Sequence, residues 1–442
     1  MIRSVVTTAQ ELAAALADRA AEIEVQGTII GSPMITLPPG TALRGGVLRF
    51  GAKGIRLTSD NTIEGLTVLT EPDEVAILND TSVPDFGRLT LRQVTTCGQV
   101  YLLAQDAVRA GHIQIEELTI KTADVRGRAL RPHGFGVAAL QGALTAWNLH
   151  GDPAVNITAN VLDVSVGTRQ TPVRGSGVFV GGHADWAGKG HGGALSVGEL
   201  RTREIHTDGG IPAGTPDLIS GGVFVISGAS VDRVVNAGPV TTYGQNDMVL
   251  DNWGTVKTWT ALAPLTSNGP SSIGFVNFGD IDLLEVTDTL RTTGGGARGF
   301  NLYDGSLREA HFASIETTGD GSVAIQISKP LGTLAIVGDV TTSGGEGMSL
   351  VKGVQMPLKA IALSIKPGGE VDSVMIGGRL ATTGSNVTSL EIEGTLKELA
   401  VGKGIHAEGV GSDAAHVGPG APDLSGIEIT SARGEGLVRH RG

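Results

Sequence analysis

The chain has 442 residues, of which 67 are glycine and one is cysteine, with 40% hydrophobic and 4% aromatic residues and a formal charge of −12. The lone Cys97 excludes a disulfide framework, and an acidic chain without a Lys/Arg block is a poor partner for nucleic acid or an anionic membrane. No apolar run reaches the roughly 18 residues of a membrane helix, the glycines lack a G-X-Y period, and the apolar content is too high for a disordered chain.

Residues 1–22 read as a cap. Thr7 or Thr8 caps a helix over 7–20, Glu11 completes a capping box with Thr8, and Leu12, Ala15, Leu16 and Ala20 form its apolar stripe. Such a helix closes the open end of a repeat protein. Glu11, Asp18 and Arg19 interrupt the apolar part, so it does not read as a signal peptide. The expected location is the cytoplasm, or outside the cell after loss of a leader.

From Ile23 to Leu69 short apolar strands alternate with Gly, Pro, Asn and Asp. Residues 70–165 continue less regularly and enclose VRGRALRPHGFG, a loop over 124–136 with Arg126, Arg128, Arg131 and His133. Two further insertions, 167–195 and 208–222, break the spacing. Insertions in a solenoid emerge as loops on one face, and that face is often the functional one.

Beyond them the chain repeats. Thr-Thr plus a glycine turn opens units at Thr292, Thr317 and Thr341, with kindred punctuation at Thr241, Thr266, Thr382, His406 and Thr430, so a rung holds about 24–25 residues. A second glycine recurs at Gly228, Gly254, Gly279, Gly305 and Gly353. Counting back from it puts Phe224, Leu250, Phe275, Asn301 and Ser349, and then Ile226, Asn252, Asn277, Tyr303 and Val351, on the inner face. Asn252 and Asn277 then form a buried amide ladder. The intervening column, Val225, Asp251, Val276, Leu302 and Leu350, would point outward, and its apolar members suggest self-association, for example as a trimer.

The fold expected is all-β: a right-handed parallel β-helix over 23–430 behind the cap, with a tail over 431–442. The stretch PPGTALRGGVLRFGAKGIRLTSDNTIEGLTV, with the cap and the rung spacing, resembles the opening rungs of the parallel β-helix superfamily that includes pectate lyases and polygalacturonases. KGHGG resembles the Gly-His-Gly strand of polygalacturonases and would place His191 there. The resemblance implies a carbohydrate-active enzyme: a hydrolase, lyase, epimerase or transferase acting on an oligo- or polysaccharide.

The insertions concentrate the chemistry. Asp185, Asp208 and Asp251 form the expected acid–base set, since glycan chemistry in a groove uses paired carboxylates. His183, Trp186, Lys189, His191, Asp217 and Trp253 are the expected substrate contacts. The competing reading is a polar loop held by its own hydrogen bonds. No zinc or calcium spacing, nucleophile elbow, phosphate loop or dinucleotide fingerprint is present, so no metal or cofactor is expected. The alternative function is a non-catalytic bacterial surface, adhesin or assembly protein, because TTSGGEG with its following strands resembles autotransporter passenger repeats.

Overall fold

The computed structural model describes residues 3–351 and 354–440. The fold is a right-handed parallel β-solenoid with one short helix. Two compact units are distinguished. The first joins the chain up to Gly134 with Ala139–Asp208 and Val223–Val234; the second joins Phe135–Ala138 and Gly209–Gly222 to the chain from Val235 onward.

In the first unit the helix spans Ala9–Ala17, with Thr8 as N-cap and the reciprocal Thr8–Glu11 capping box formed. Leu12, Ala15 and Ala20 are buried. Parallel strands then stack from Glu22–Val25 onward, with Ile23, Leu43, Ile63, Leu91, Ile115, Val161 and Leu200 in register as one inner column. All seven are buried. Ile23, Leu43 and Ile63 are spaced 20 apart, tighter than the 24–25 expected. The longer intervals, from Ile115 to Val161 and from Val161 to Leu200, hold the insertions.

One residue along from this column the outer face alternates in sign: Glu24, Arg44, Glu64, Arg92, Glu116. Arg44 meets Glu64 at 2.9 Å, and Arg92 reaches Glu64 at 3.8 Å and Glu116 at 2.8 Å. Unlike charges stack because parallel in-register strands place equivalent positions one strand spacing apart.

In the second unit the inner column is Leu250, Phe275, Phe300, Ile325, Leu363, Leu390 and Ala415. At a corner, Thr242, Ser267, Thr292, Thr317, Thr342 and Thr382 stack as a buried hydroxyl column. The first four steps are each 25, and the last is 40. Thr341 is therefore one residue out of register with Thr317; its neighbour Thr342 is the true partner. The 40-residue step is a single rung that carries an antiparallel hairpin, Glu346–Val351 with Val354–Lys359.

That hairpin corrects the assignment of Ser349, Leu350 and Val351 to coil columns. Gly353, counted as the next member of the glycine column, lies outside the described residues. Leu302 is also corrected. It pairs with Asn277 and faces inward, while Asn301 pairs with Val276 and faces outward. The glycine column itself is real: a Cβ on Gly279 would stand 1.9 Å from the Gly254 carbonyl oxygen, and one on Gly305 at 1.9 Å from that of Gly279. Asp304, however, adds a residue between strand and glycine, so counting back from Gly305 slips by one. Ser227 does the same before Gly228. Val225 pairs with Val180, and Val180 with Ala146, so Val225 lies on the face opposite Trp147. Ile226, expected inside, instead lines a surface cavity with Trp147.

The expected outer apolar stripe is thus not one. Val225 and Leu302 belong to the inner face, and Val276 and Leu350 line one small pocket within the second unit.

Candidate functional sites

In the first unit the strand Gly142–Asn148 pairs with Ser176–Gly181, setting Trp147 beside Gly181. A Cβ on Gly181 would stand 3.2 Å from the Trp147 ring and 3.1 Å from that of Phe179, so the glycine leaves room for the indole. The Trp147 Nε1–H donates to the Gly182 carbonyl at 3.1 Å, and its ring meets Phe179 edge-on at 5.3 Å.

The 182–191 loop folds back on itself beside this tryptophan. Asp185 Oδ1 accepts from the backbone N–H of Ala187 and of Lys189, each at 2.9 Å. The backbone N–H of Asp185 donates to the Lys189 carbonyl at 2.8 Å, and that of His191 to the His183 carbonyl at 3.0 Å. The Ser227 hydroxyl donates to the Gly188 carbonyl. This self-closed turn presents Trp186, whose ring stacks on His133 at 3.7 Å and 10° while remaining 77% exposed.

His133 Nδ1 lies 3.0 Å from the Trp186 carbonyl oxygen, and His183 Nδ1 lies 3.0 Å from that of His191. A carbonyl only accepts, so each Nδ1 carries hydrogen and each Nε2 is left for a ligand. Together Arg131, His133, Trp147, His183, Asp185 and Trp186 line an open cavity of about 240 Å³.

The sequence-derived residues divide. His183, Asp185 and Trp186 line this cavity. Lys189 and His191 are exposed nearby on the same loop and are not part of the lining. Asp208 is paired in register with Arg174, whose guanidinium donates to it. Arg174 in turn pairs through its backbone with Asp124, whose carboxyl is held below its ordinary range by Arg126. Asp208 is therefore held in an ion pair with Arg174, on the rung next to the Asp124–Arg126 pair, and is not part of the cavity lining. Asp217, in the second unit, is exposed and its carbonyl accepts from Ala138 N–H at 2.8 Å.

Asp251 and Trp253, also in the second unit, are buried. Asp251 shares a pocket of about 50 Å³ with Phe135, Phe278, Arg298, Tyr303 and Leu350, among others. Burial pushes its carboxyl well above the usual carboxylate range, and the Trp253 indole pulls the other way.

Trp147 was not legible as a site residue, because GALTAWN reads as a core strand until pairing shows which face the tryptophan takes. A groove of about 310 Å³ in the second unit was also hidden. It brings Asp282, Arg308, Glu370, Asp372 and Lys397 together on successive rungs, with Lys397 2.7 Å from Asp372. Gly332, between the paired Leu331 and Thr333, lines the groove without a side chain. No signal short of the strand register could have found it.

Among the described residues no cluster of three or more His, Cys, Asp or Glu could hold a metal ion, and no helix is long and apolar enough to cross a membrane. No family model, curated protein or solved structure matches the chain.

Proposed function

We propose that the protein binds a carbohydrate, with the Trp186–His133 cavity of the first unit as the site. The observation that carries this reading is the exposed Trp186, stacked on His133, beside convergent polar groups. A flat aromatic face takes the C–H face of a sugar ring, and a few fixed donors and acceptors around it orient the hydroxyls. Arg131 donates, Asp185 Oδ2 accepts, and the two Nε2 atoms accept when the rings are neutral and donate when they are charged. The cavity volume of about 240 Å³ suits one sugar unit of a chain that continues into solvent.

Screening the purified protein against a glycan panel, read by tryptophan emission, tests this. Trp147, Trp253 and Trp259 are at most 7% exposed, so a ligand-induced blue shift reports on Trp186. A panel in which no glycan shifts the emission or binds by calorimetry would refute the reading.

A glycan-cleaving enzyme is the second reading. Among the described residues Asp185 is the only carboxylate lining the cavity, whereas paired-carboxylate chemistry needs a partner at roughly 5–9.5 Å. The observation favouring catalysis is the other groove, which Asp282, Glu370 and Asp372 all line. Release of reducing ends or unsaturated products from a bound glycan, abolished by Asp282→Asn or Asp372→Asn, would move the assignment there.

A further inference from the structure

The Asp251 pocket contains polar groups that the chain itself does not satisfy. Arg298 is 1% exposed. Its terminal nitrogens donate to the Tyr303 hydroxyl, the Ser349 hydroxyl and the Leu350 carbonyl, all of them neutral acceptors. Its Nε–H has no acceptor. Asp251 is 0% exposed, and neither of its oxygens is in hydrogen-bond geometry with a partner, the Trp253 indole being the one neighbouring donor that favours its charged form. The remaining wall carries no further charged group and is mostly aromatic or aliphatic, with Phe135, Phe278, Met248 and Val276 among its residues.

A buried guanidinium surrounded only by neutral acceptors is expensive, because its charge is taken out of water with no compensating anion. Buried polar atoms without partners are rare in folded proteins and call for an occupant. The volume of about 50 Å³ admits a few small atoms and excludes a ring.

We infer that this pocket is a binding site for a small monovalent anion of halide or formate size, held by the Nε–H of Arg298. The anion supplies the missing countercharge. Asp251 completes the site as an acid: with its proton retained by burial, it adds an O–H donor rather than a second negative charge. Phe135 forms part of the wall. It stacks on Phe278 at 4.5 Å, meets Trp253 edge-on at 5.4 Å, and holds a left-handed backbone (φ 53°) next to Gly136. The aromatic and aliphatic walls keep water from competing, which strengthens a charge-assisted hydrogen bond.

The competing arrangement is an ionised Asp251 joined to Arg298 through ordered water. Two measurements on the full chain separate them. Crystals soaked in sodium bromide should show an anomalous peak within hydrogen-bond distance of Arg298 Nε. In solution, replacing gluconate by chloride or formate at constant ionic strength should raise Tm by a few degrees in a saturable way, as ligand linkage requires. Asp251→Asn should keep the anion-dependent rise, and Arg298→Met should lose it. Should Arg298→Met fail to fold, the bromide experiment on the unaltered protein decides alone. Water density linking Arg298 to Asp251 with no bromide peak, or a loss of the anion effect in Asp251→Asn, overturns the inference.

Discussion

The side-chain amide of Asn252 donates to the amide oxygen of Asn277 at 2.8 Å, one rung apart, with both residues fully buried. Asn252 Oδ1 accepts from Gly254 N–H at 3.1 Å, and Asn277 Nδ2 continues to the Gly279 carbonyl at 2.7 Å. The ladder stops at the next rung, where Leu302 takes the position. Asn277→Asp places a carboxylate in this column without a cation and is expected to cost about 3–5 kcal/mol, the range for an uncompensated buried charge. Asn277→Leu, which imitates the next rung, should cost about 1–3 kcal/mol by stranding the Asn252 donor. The double change Asn252→Leu with Asn277→Leu should then cost less than the sum of the singles. Urea unfolding of the parent and of all four variants, the single Asn252→Leu included, checks the order; an Asn277→Asp protein as stable as the parent would contradict it.

This pair also marks what the sequence made legible. Period-two alternation and a glycine recurring at near-constant spacing identify a parallel solenoid, and they place Asn252 above Asn277, because the rung between Gly254 and Gly279 has no extra residue. The same count slips at Leu302, where Asp304 lengthens a corner, and fails at Leu350, where a hairpin of a different sheet type enters. Spacing records chain length, not the path taken between strands. The site was legible in part for a related reason: the insertion that carries His183, Asp185 and Trp186 announces itself by breaking the period. Trp147, by contrast, meets it only through pairing with Gly181.

The outer ladder of the first unit makes a milder claim. Glu64 stands between Arg44 at 2.9 Å and Arg92 at 3.8 Å, with its side chain 26% exposed. Exposed ion pairs contribute little, so Glu64→Gln should cost no more than about 1 kcal/mol despite touching two arginines. The difference from the parent should shrink in 1 M salt, where the Debye length is about 3 Å. A loss several times larger, or one indifferent to salt, would mean that the ladder sets rung register rather than decorating it.

The proposed sugar platform predicts a specific pattern of loss. Trp186→Ala should weaken glycan binding by about 2 kcal/mol, roughly thirtyfold, as removal of a central aromatic contact does. It should leave the unfolding midpoint nearly unchanged, since the ring is 77% exposed. His133→Ala should also weaken binding, by removing the face on which Trp186 stacks at 3.7 Å. Calorimetric titration with the best glycan of the panel measures both; equal affinities for parent and Trp186→Ala would place the ligand elsewhere.

Asp251 predicts a pH dependence whose sign is opposite to that of the paired surface carboxylates. Its carboxyl titrates far above the ordinary value in the folded chain, because burial penalises the charged form, while the unfolded chain returns it to about 3.9. Between those two values the folded state holds a proton that the unfolded state has released. Stability must therefore fall as pH rises through that window, and the slope vanishes once the folded-state value is passed. Asp163 and Asp413 act the other way: their arginine and histidine partners and hydrogen bonds depress them, so their contributions are lost only on acidification. Subtraction isolates Asp251. Asp251→Asn keeps the shape of the neutral acid and cannot ionise, so the stability of the variant minus that of the parent should grow steadily from pH 4 upward. Urea midpoints measured in gluconate buffer between pH 4 and 8 give this difference directly. A difference that stays flat across the range would show that Asp251 ionises with a partner in the folded protein, and the acid role assigned to it beside Arg298 would fall with it.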